Sequence, residues 1–214
     1  GLLYHRYAKG EKAVLGFYVS GHPLRKYQRE INAFATAQFR ETSIIKSGIT
    51  VRCAGVVSSI KKKIDKKGNM MAFLTLEDFS GKGECIVFSD AYRQYQNILN
   101  PDTMVMVIGT AEQSGDTLRI IVKEVIPLEK VREKLTKYII LSIRADNIQE
   151  DTIQLLRKVV ERYKGKYPCY FNIIFEGDGT SQLYQSTKYT VEPSDEFIND
   201  IESILGLSSV RISA

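Results

Sequence analysis

A run of basic side chains between residues 61 and 69 is the feature of this sequence that most directly indicates chemistry. The segment reads KKKIDKKGN and contains five lysines, Lys61, Lys62, Lys63, Lys66 and Lys67. Lysine carries a mobile point charge on a long stem, so such a cluster suits contact with the phosphate groups of a nucleic acid, whatever its nucleotide sequence. Considered alone, the run favours a solvated hairpin tip that charge keeps soluble.

The charge is unevenly distributed along the 214 residues, whose formal net charge is +5. The first 69 residues hold 14 Lys and Arg against 4 Asp and Glu, whereas residues 70–214 hold 16 against 21. This asymmetry favours a polyanionic partner for the first third of the chain and something else for the rest.

The sequence contains no recognisable catalytic motif. It has neither a phosphate-binding P-loop nor a Gly-x-Ser-x-Gly nucleophile elbow. His22 lies between Gly21 and Pro23 with no nucleophile pattern nearby, and Asp78 precedes a Ser-Gly turn, where aspartate is common. The sequence therefore predicts no catalytic residue, no metal site and no cofactor in this chain.

The three cysteines are far apart, and each lies in an apolar stretch. We therefore expect small buried residues in a reducing, cytoplasmic protein. No apolar run approaches the roughly 18–20 residues that cross a bilayer, which argues against membrane insertion. The start of the sequence suggests an excised fragment.

From Thr50 onward the apolar residues recur with period two, which predicts β-strands. The predicted strands are Thr50–Ile60, Met70–Asp78, Glu84–Phe88, Met104–Ala111 and Leu118–Ile126. A helix that begins at Ser89 or Asp90 and runs to about Leu99 separates the third strand from the fourth. Three strands, a helix and two strands are the layout of an OB-fold, a five-stranded Greek-key barrel.

The segments on either side of the barrel read differently. Before it, Lys9–Tyr18 and Leu24–Ile31 have helical spacing, so residues 1–47 are interpreted as a short helical linker segment. Residues 48–128 form the OB-fold domain, and Pro127–Lys137 is a charged helical linker. Residues 137–214 then give strand, helix, two strands, helix and strand, which predicts a small ferredoxin-like α/β domain. The overall fold class is α+β.

The predicted nucleic-acid site lies on the connection between the first two strands. In OB-folds this loop flanks the ligand groove, and single strands are held by positive charge together with aromatic stacking. Phe73 would face outward as a stacking platform, and Arg119 and Lys123 on the fifth strand would extend the basic track. Two points stay open: Met71 and Phe73 could instead pack on a neighbouring domain, and either Phe88 or Tyr92 could seal the barrel end.

Three blocks of sequence resemble the bacterial DNA polymerase III alpha subunits. Leu15–Leu24 (LGFYVSGHPL) is similar to a segment that precedes the OB domain in that family. Lys67–Asp78 is similar to the family's second OB strand and the turn before it, and Glu84–Phe88 with Tyr92 is similar to its third strand and helix. The resemblance covers about residues 11–128, and residues 138–214 match only in their order of elements.

The resemblance implies a fragment of a C-family replicative DNA polymerase, a nucleotidyltransferase whose metal-binding aspartates lie outside this chain. Its OB domain would hold single-stranded DNA, and its last domain would dock the clamp-loader tau subunit or other replisome proteins. One alternative is a protein-interaction scaffold for such subunits. The other is an RNA-binding OB domain of the tRNA anticodon-binding type.

Overall fold

A computed structural model describes residues 21–40, 45–115, 117–177 and 179–214. The chain forms two compact units, with the division between Arg132 and Glu133. The helix predicted for Lys9–Tyr18 lies outside the described residues.

The first unit is a closed five-stranded barrel with strand order β1-β2-β3-β5-β4. Its strands are β1 Thr50–Ile64, β2 Met70–Glu77, β3 Lys82–Val87, β4 Met104–Ser114 and β5 Thr117–Pro127. All neighbours are antiparallel except β3 and β5, which are parallel. The predicted OB-fold barrel is therefore confirmed.

The alternation of side chains along β2 builds the barrel core. Ala72, Leu74 and Leu76 are fully buried, and their period of two places them on one face of the strand. The intervening side chains, Met71, Phe73 and Thr75, are only partly buried. The barrel thus fills its interior with one face of each strand and presents the other face outward.

Helix α2, Ser89–Tyr95, follows β3 and packs Tyr92 into the barrel core. Phe88 precedes the helix and remains 49% exposed, so Tyr92 seals the barrel and Phe88 does not. The structure therefore answers the question of which of these two residues closes the end of the barrel.

Within the described residues, the segment before the barrel contains a 3-10 helix, Pro23–Tyr27, followed by helix α1, Gln28–Phe34. The chain then becomes non-helical, and Phe39 packs into the core with its backbone amide donating to Asp78 Oδ2 at 2.8 Å. Asp78 Oδ1 accepts from the backbone amides of Ser80 and Gly81 and from the Ser80 hydroxyl. Asp78 therefore organises a turn, as its sequence context indicated, and also anchors the incoming chain.

Helix α3, Leu128–Leu135, leaves the barrel, and the second unit is a four-stranded sheet with helices. Its elements are β6 Tyr138–Arg144, α4 Glu150–Arg162, β7 Lys164–Ile174, β8 Ser181–Val191, α5 Asp195–Leu205 and β9 Val210–Ser213. Two short strands predicted at Ser181–Gln185 and Tyr189–Val191 are thus one long strand.

The sheet order of the second unit is β8-β7-β6-β9, which corrects one prediction. β6 and β7 pair directly and in parallel, from Ile139 opposite Cys169 to Arg144 opposite Ile174. A ferredoxin-like sheet instead splits its strand–helix–strand unit with another strand. The ferredoxin-like prediction is therefore wrong, although the order of elements along the chain is as predicted. The β7–β8 hairpin places β8 at the edge of the sheet. The hydrophobic pattern of the sequence does not determine this position.

Close packing of β4 on β5 predicts the effect of a single added methyl group. A β-carbon at Gly109 would lie 2.1 Å from the backbone carbonyl oxygen of Ile121. Because backbone cannot swing aside, we expect Gly109→Ala to lower the free energy of unfolding by about 1–3 kcal/mol. Urea unfolding followed by far-ultraviolet circular dichroism measures this loss.

Gly177→Ala is the matched control, since a β-carbon there meets nothing within 4 Å. We expect the control to stay within about 0.5 kcal/mol of the unchanged chain. Equal unfolding midpoints for both variants would contradict the close approach of β4 and β5.

Candidate nucleic-acid interface

Strand β1 extends four residues beyond its predicted end, which changes the placement of three lysines. Lys61, Lys62 and Lys63 lie on β1 rather than in the loop, and only Lys66 and Lys67 lie in the turn. All five side chains are exposed. The lysine cluster is therefore a strand end with a turn, and the strand fixes the face to which each of its three lysines belongs.

The register between β1 and β2 divides the strand lysines between two faces. Lys61 lies opposite Phe73 and Lys63 opposite Met71, whereas Lys62 lies opposite the buried Ala72. Side chains directly opposite each other share a face of the sheet. Lys61 and Lys63 therefore lie on the outer face with Phe73, and Lys62 points to the other side.

A β-bulge between Val57 and Ser59 sets this register. The Ser58 hydroxyl donates to the Thr75 carbonyl oxygen at 3.1 Å, and the Ser59 hydroxyl donates to Thr75 Oγ1 at 3.0 Å. Gly55 lies two residues before this bulge. Its absent side chain admits Leu76, whose Cβ lies 3.0 Å from where a β-carbon would be.

Phe73 is the centre of the outer face. It is partly buried, and the ammonium of Lys63 lies 5.3 Å from the centroid of its ring. This separation is within the range of a cation–π contact. The contact brings a positive charge and an aromatic platform together, the two elements that hold an unpaired polynucleotide.

Two isoleucines extend this platform across the neighbouring strands. Ile86 on β3 lies opposite Phe73, and Ile121 on β5 lies opposite Ile86. We call the following residues the outer strip: Lys61, Lys63, Met71, Phe73, Ile86 and Ile121. The sequence reasoning missed both isoleucines. The continuous apolar run of residues 120–122 was the available signal, because a strand with one solvated face alternates.

The turn that carries Lys66 and Lys67 is tied down by Asp65. Asp65 Oδ1 accepts from the backbone amides of Lys67 and Asn69, each at 2.8 Å. The hydrogen bond from the Asn69 amide, with that from Lys67, holds the pKa of the Asp65 carboxyl below its usual value. Gly68 adopts φ +84°, a conformation that favours glycine.

Arg119 and Lys123 differ in their surroundings. The guanidinium of Arg119 donates through Nε to Glu84 Oε2 at 2.8 Å, so a carboxylate offsets its charge. Lys123 is exposed and lies at the register shift of β5. The two do not join the lysines in an uninterrupted basic track.

The second unit contains an apolar groove of about 290 Å³. Its apolar lining includes Ile143, Ile148, Ile153, Leu156, Phe171 and Ile173. Ile148 and Ile153 on its rim are exposed. Isolated surface apolar residues are common, but several around one groove indicate a binding surface.

The three cysteine side chains are buried. None of the three cysteines forms a disulfide, which agrees with the predicted buried role. Burial raises the pKa of Cys169 to about 12 and that of Cys85 well above its usual value. Within the described ranges, no three metal-binding side chains come together, and no helix is long and apolar enough to cross a membrane.

Comparison with known families matches residues 51–128 to one described as an OB-fold nucleic acid binding domain. Curated relatives align over nearly the whole chain. The DNA polymerase III subunit alpha of Pseudomonas aeruginosa is 31% identical over 96% of this chain and 17% of its own length. That of Escherichia coli K12 is 27% identical over 95% of this chain and 18% of its own length. The chain therefore spans less than a fifth of these relatives.

Solved structures also align with part of the chain. A mitochondrial single-stranded DNA binding protein from S. cerevisiae covers 39% of this chain and 96% of its own, with 13% identity and a TM-score of 0.32. The second OB-fold domain of replication protein A from Methanococcus maripaludis covers 41% of this chain and 92% of its own, with 20% identity and a TM-score of 0.30.

The lowered pKa of Asp65 predicts how the lysine turn responds to acid. The folded-state pKa of Asp65 lies below the usual aspartate value. Its carboxylate therefore stabilises the folded turn fully when the pH is above that usual value, and this stabilisation is lost as the pH falls through the lowered pKa. We expect the Asn69 amide proton resonance to shift with that midpoint in an NMR titration. Asp65→Asn should abolish the step, and a midpoint at or above the usual aspartate value would contradict the turn geometry.

Proposed function

We propose that this chain, which is homologous along about 95% of its length to part of the DNA polymerase III alpha subunits, holds single-stranded DNA on its OB barrel. In a replicative polymerase this module would hold template strand near an active site that other parts of the polymerase supply. The observation that carries the proposal is the position of Lys61 and Lys63 around Phe73 on the outer face.

The spacing of the outer strip supports this function. Strands lie about 4.8 Å apart, so the path from Lys61 through Phe73 and Ile86 to Ile121 is about 14 Å long. An unpaired base stacked on an aromatic ring contributes roughly 1–3 kcal/mol, and any base has a face to stack. Isoleucine side chains offer further apolar contact, so the strip suits binding that is largely independent of sequence.

The lysines would supply the electrostatic part of the binding. Lys61, Lys63, Lys66 and Lys67 can each approach a phosphate from the hairpin end, whereas Lys62 points to the opposite face. Each phosphate contact on a single strand contributes about −0.7 to the slope of log affinity against log salt. Four contacts give a slope near −3.

A salt titration with labelled oligo-dT tests the proposal. We expect a fluorescence-anisotropy slope near −3 for the unchanged chain, from about −0.7 per lysine contact. Replacing the five lysines of residues 61–67 with alanine should remove most of the affinity, because the phosphates then lose their partners.

The control removes the same charge elsewhere, from exposed lysines of the second unit: Lys137, Lys158, Lys164, Lys166 and Lys188. This variant should bind almost as tightly as the unchanged chain. Equal losses in the two variants would exclude the hairpin as the site. Preferential displacement of oligo-dT by tRNA would favour the anticodon-type alternative.

The apolar groove of the second unit favours an additional function, docking of a protein partner. The partner expected from the family resemblance is the clamp-loader tau subunit or another replisome protein. Ile153 lines the groove, whereas Leu155 on the same helix is equally exposed and does not line it. The two positions therefore form a matched pair.

If the groove docks the tau subunit, Ile153→Glu should abolish co-elution of the two proteins in size-exclusion chromatography, because an apolar partner surface would desolvate the carboxylate. Leu155→Glu should leave the complex intact. Loss of the complex in both variants, or in neither, would refute docking at this groove.

A further inference from the structure

A row of charged side chains crosses the barrel beside the outer strip. Glu84 on β3 lies opposite Arg119 on β5, and Arg119 lies opposite Glu112 on β4. We call Glu84, Arg119 and Glu112 the acidic row, since two carboxylates flank one guanidinium. Its net charge is opposite in sign to that of the lysine hairpin.

The acidic row lies one step along the strands from the aromatic platform. Thr75, which is opposite Glu84, is two residues from Phe73 on the same face of β2. Residues two apart on a strand are separated by about 6.8 Å. Glu84 is one strand further away, about 8 Å from Phe73 along the sheet. This is shorter than the screening length of about 10 Å at 0.1 M salt, so a phosphate over Phe73 is affected by the Glu84 carboxylate.

The ion pair between Arg119 and Glu84 keeps the arginine engaged. The Nε–Oε2 distance is 2.8 Å, and the two side chains are 37% and 42% exposed. A phosphate that approached Arg119 would therefore have to compete with Glu84 and would be repelled by it. The one cation of the row does not act as an open phosphate contact.

We propose that the acidic row is an electrostatic border of the DNA site, a role that rests on the proposed single-stranded DNA binding. It confines the phosphates of a bound strand to the side of Lys61, Lys63, Lys66 and Lys67. The bases then lie over Phe73, Ile86 and Ile121. Glu84 acts as a specificity-determining residue, because it sets the path of the strand by repulsion.

Neutralising Glu84 should open this border. We expect Glu84→Gln in the full chain to bind oligo-dT about fivefold more tightly at low salt, the effect of about one unit-charge contact in water. The salt slope should become steeper by about 0.7, because Arg119 is released to contact a phosphate. In an Arg119→Gln background the added slope should be absent.

Glu77→Gln is the matched control. Glu77 on β2 is paired with Lys82 on β3 at 3.6 Å and lies further from the lysine hairpin than Glu84 does. We expect its affinity to change less than twofold, because screening weakens a more distant charge.

Four results would overturn the border. Equal gains in affinity from Glu77→Gln and Glu84→Gln would show that both act only through long-range charge. A loss of affinity in Glu84→Gln would show that Glu84 supports binding. Binding by the unchanged chain with no gain in Glu84→Gln would overturn the border alone. Absence of binding by the unchanged chain would overturn the proposed function together with the border.

Discussion

One extra residue in strand β1 determines which side chains the barrel offers to a ligand. Before the bulge at Val57 and Ser59, odd-numbered residues of β1 face inward, and after it Ile60 packs against the core. A one-residue change of register moves every following side chain to the other face. Without the bulge, Lys61 and Lys63 would face away from Phe73. The bulge, at which Ser58 and Ser59 donate hydrogen bonds to Thr75, therefore decides which lysines of β1 belong to the outer strip.

Much of the barrel was predictable because its strands obey a local rule. Ala72, Leu74 and Leu76 alternate with partly exposed residues, and that pattern identifies a strand with one face in the core. The same rule fails at Lys61–Lys63, where three charged residues in succession carry no alternation. They are in a strand only because residues 71–73 pair with them, which is information from another part of the sequence. Ile86 and Ile121 were missed for a related reason, since partner strands rather than local patterns align them with Phe73.

The second unit shows a stronger limit on sequence reasoning. Its elements occur in the predicted order, because each one's periodicity and turn residues are local, as in the helix that ends before Gly206. The order of strands within the sheet is a different matter. β6 pairs directly with β7. An arrangement with another strand between them would require the same alternation of apolar and polar residues in every strand. The choice depends on how the β7–β8 hairpin folds against its neighbours, which no short segment specifies.

The uneven charge of the sequence acquires a spatial meaning on the barrel. Five of the 14 basic residues in the first 69 positions lie in one hairpin. Glu84 and Glu112 lie on the same barrel, beyond the apolar residues of the outer strip. Attraction at one boundary and repulsion at the other define a path without any contact that reads a base. Such a path would suit the proposed binding of single-stranded DNA, because a strand of any sequence could follow it. Affinity that comes mainly from exposed charges is salt-sensitive and spread over several weak contacts, so no single contact prevents the strand from advancing.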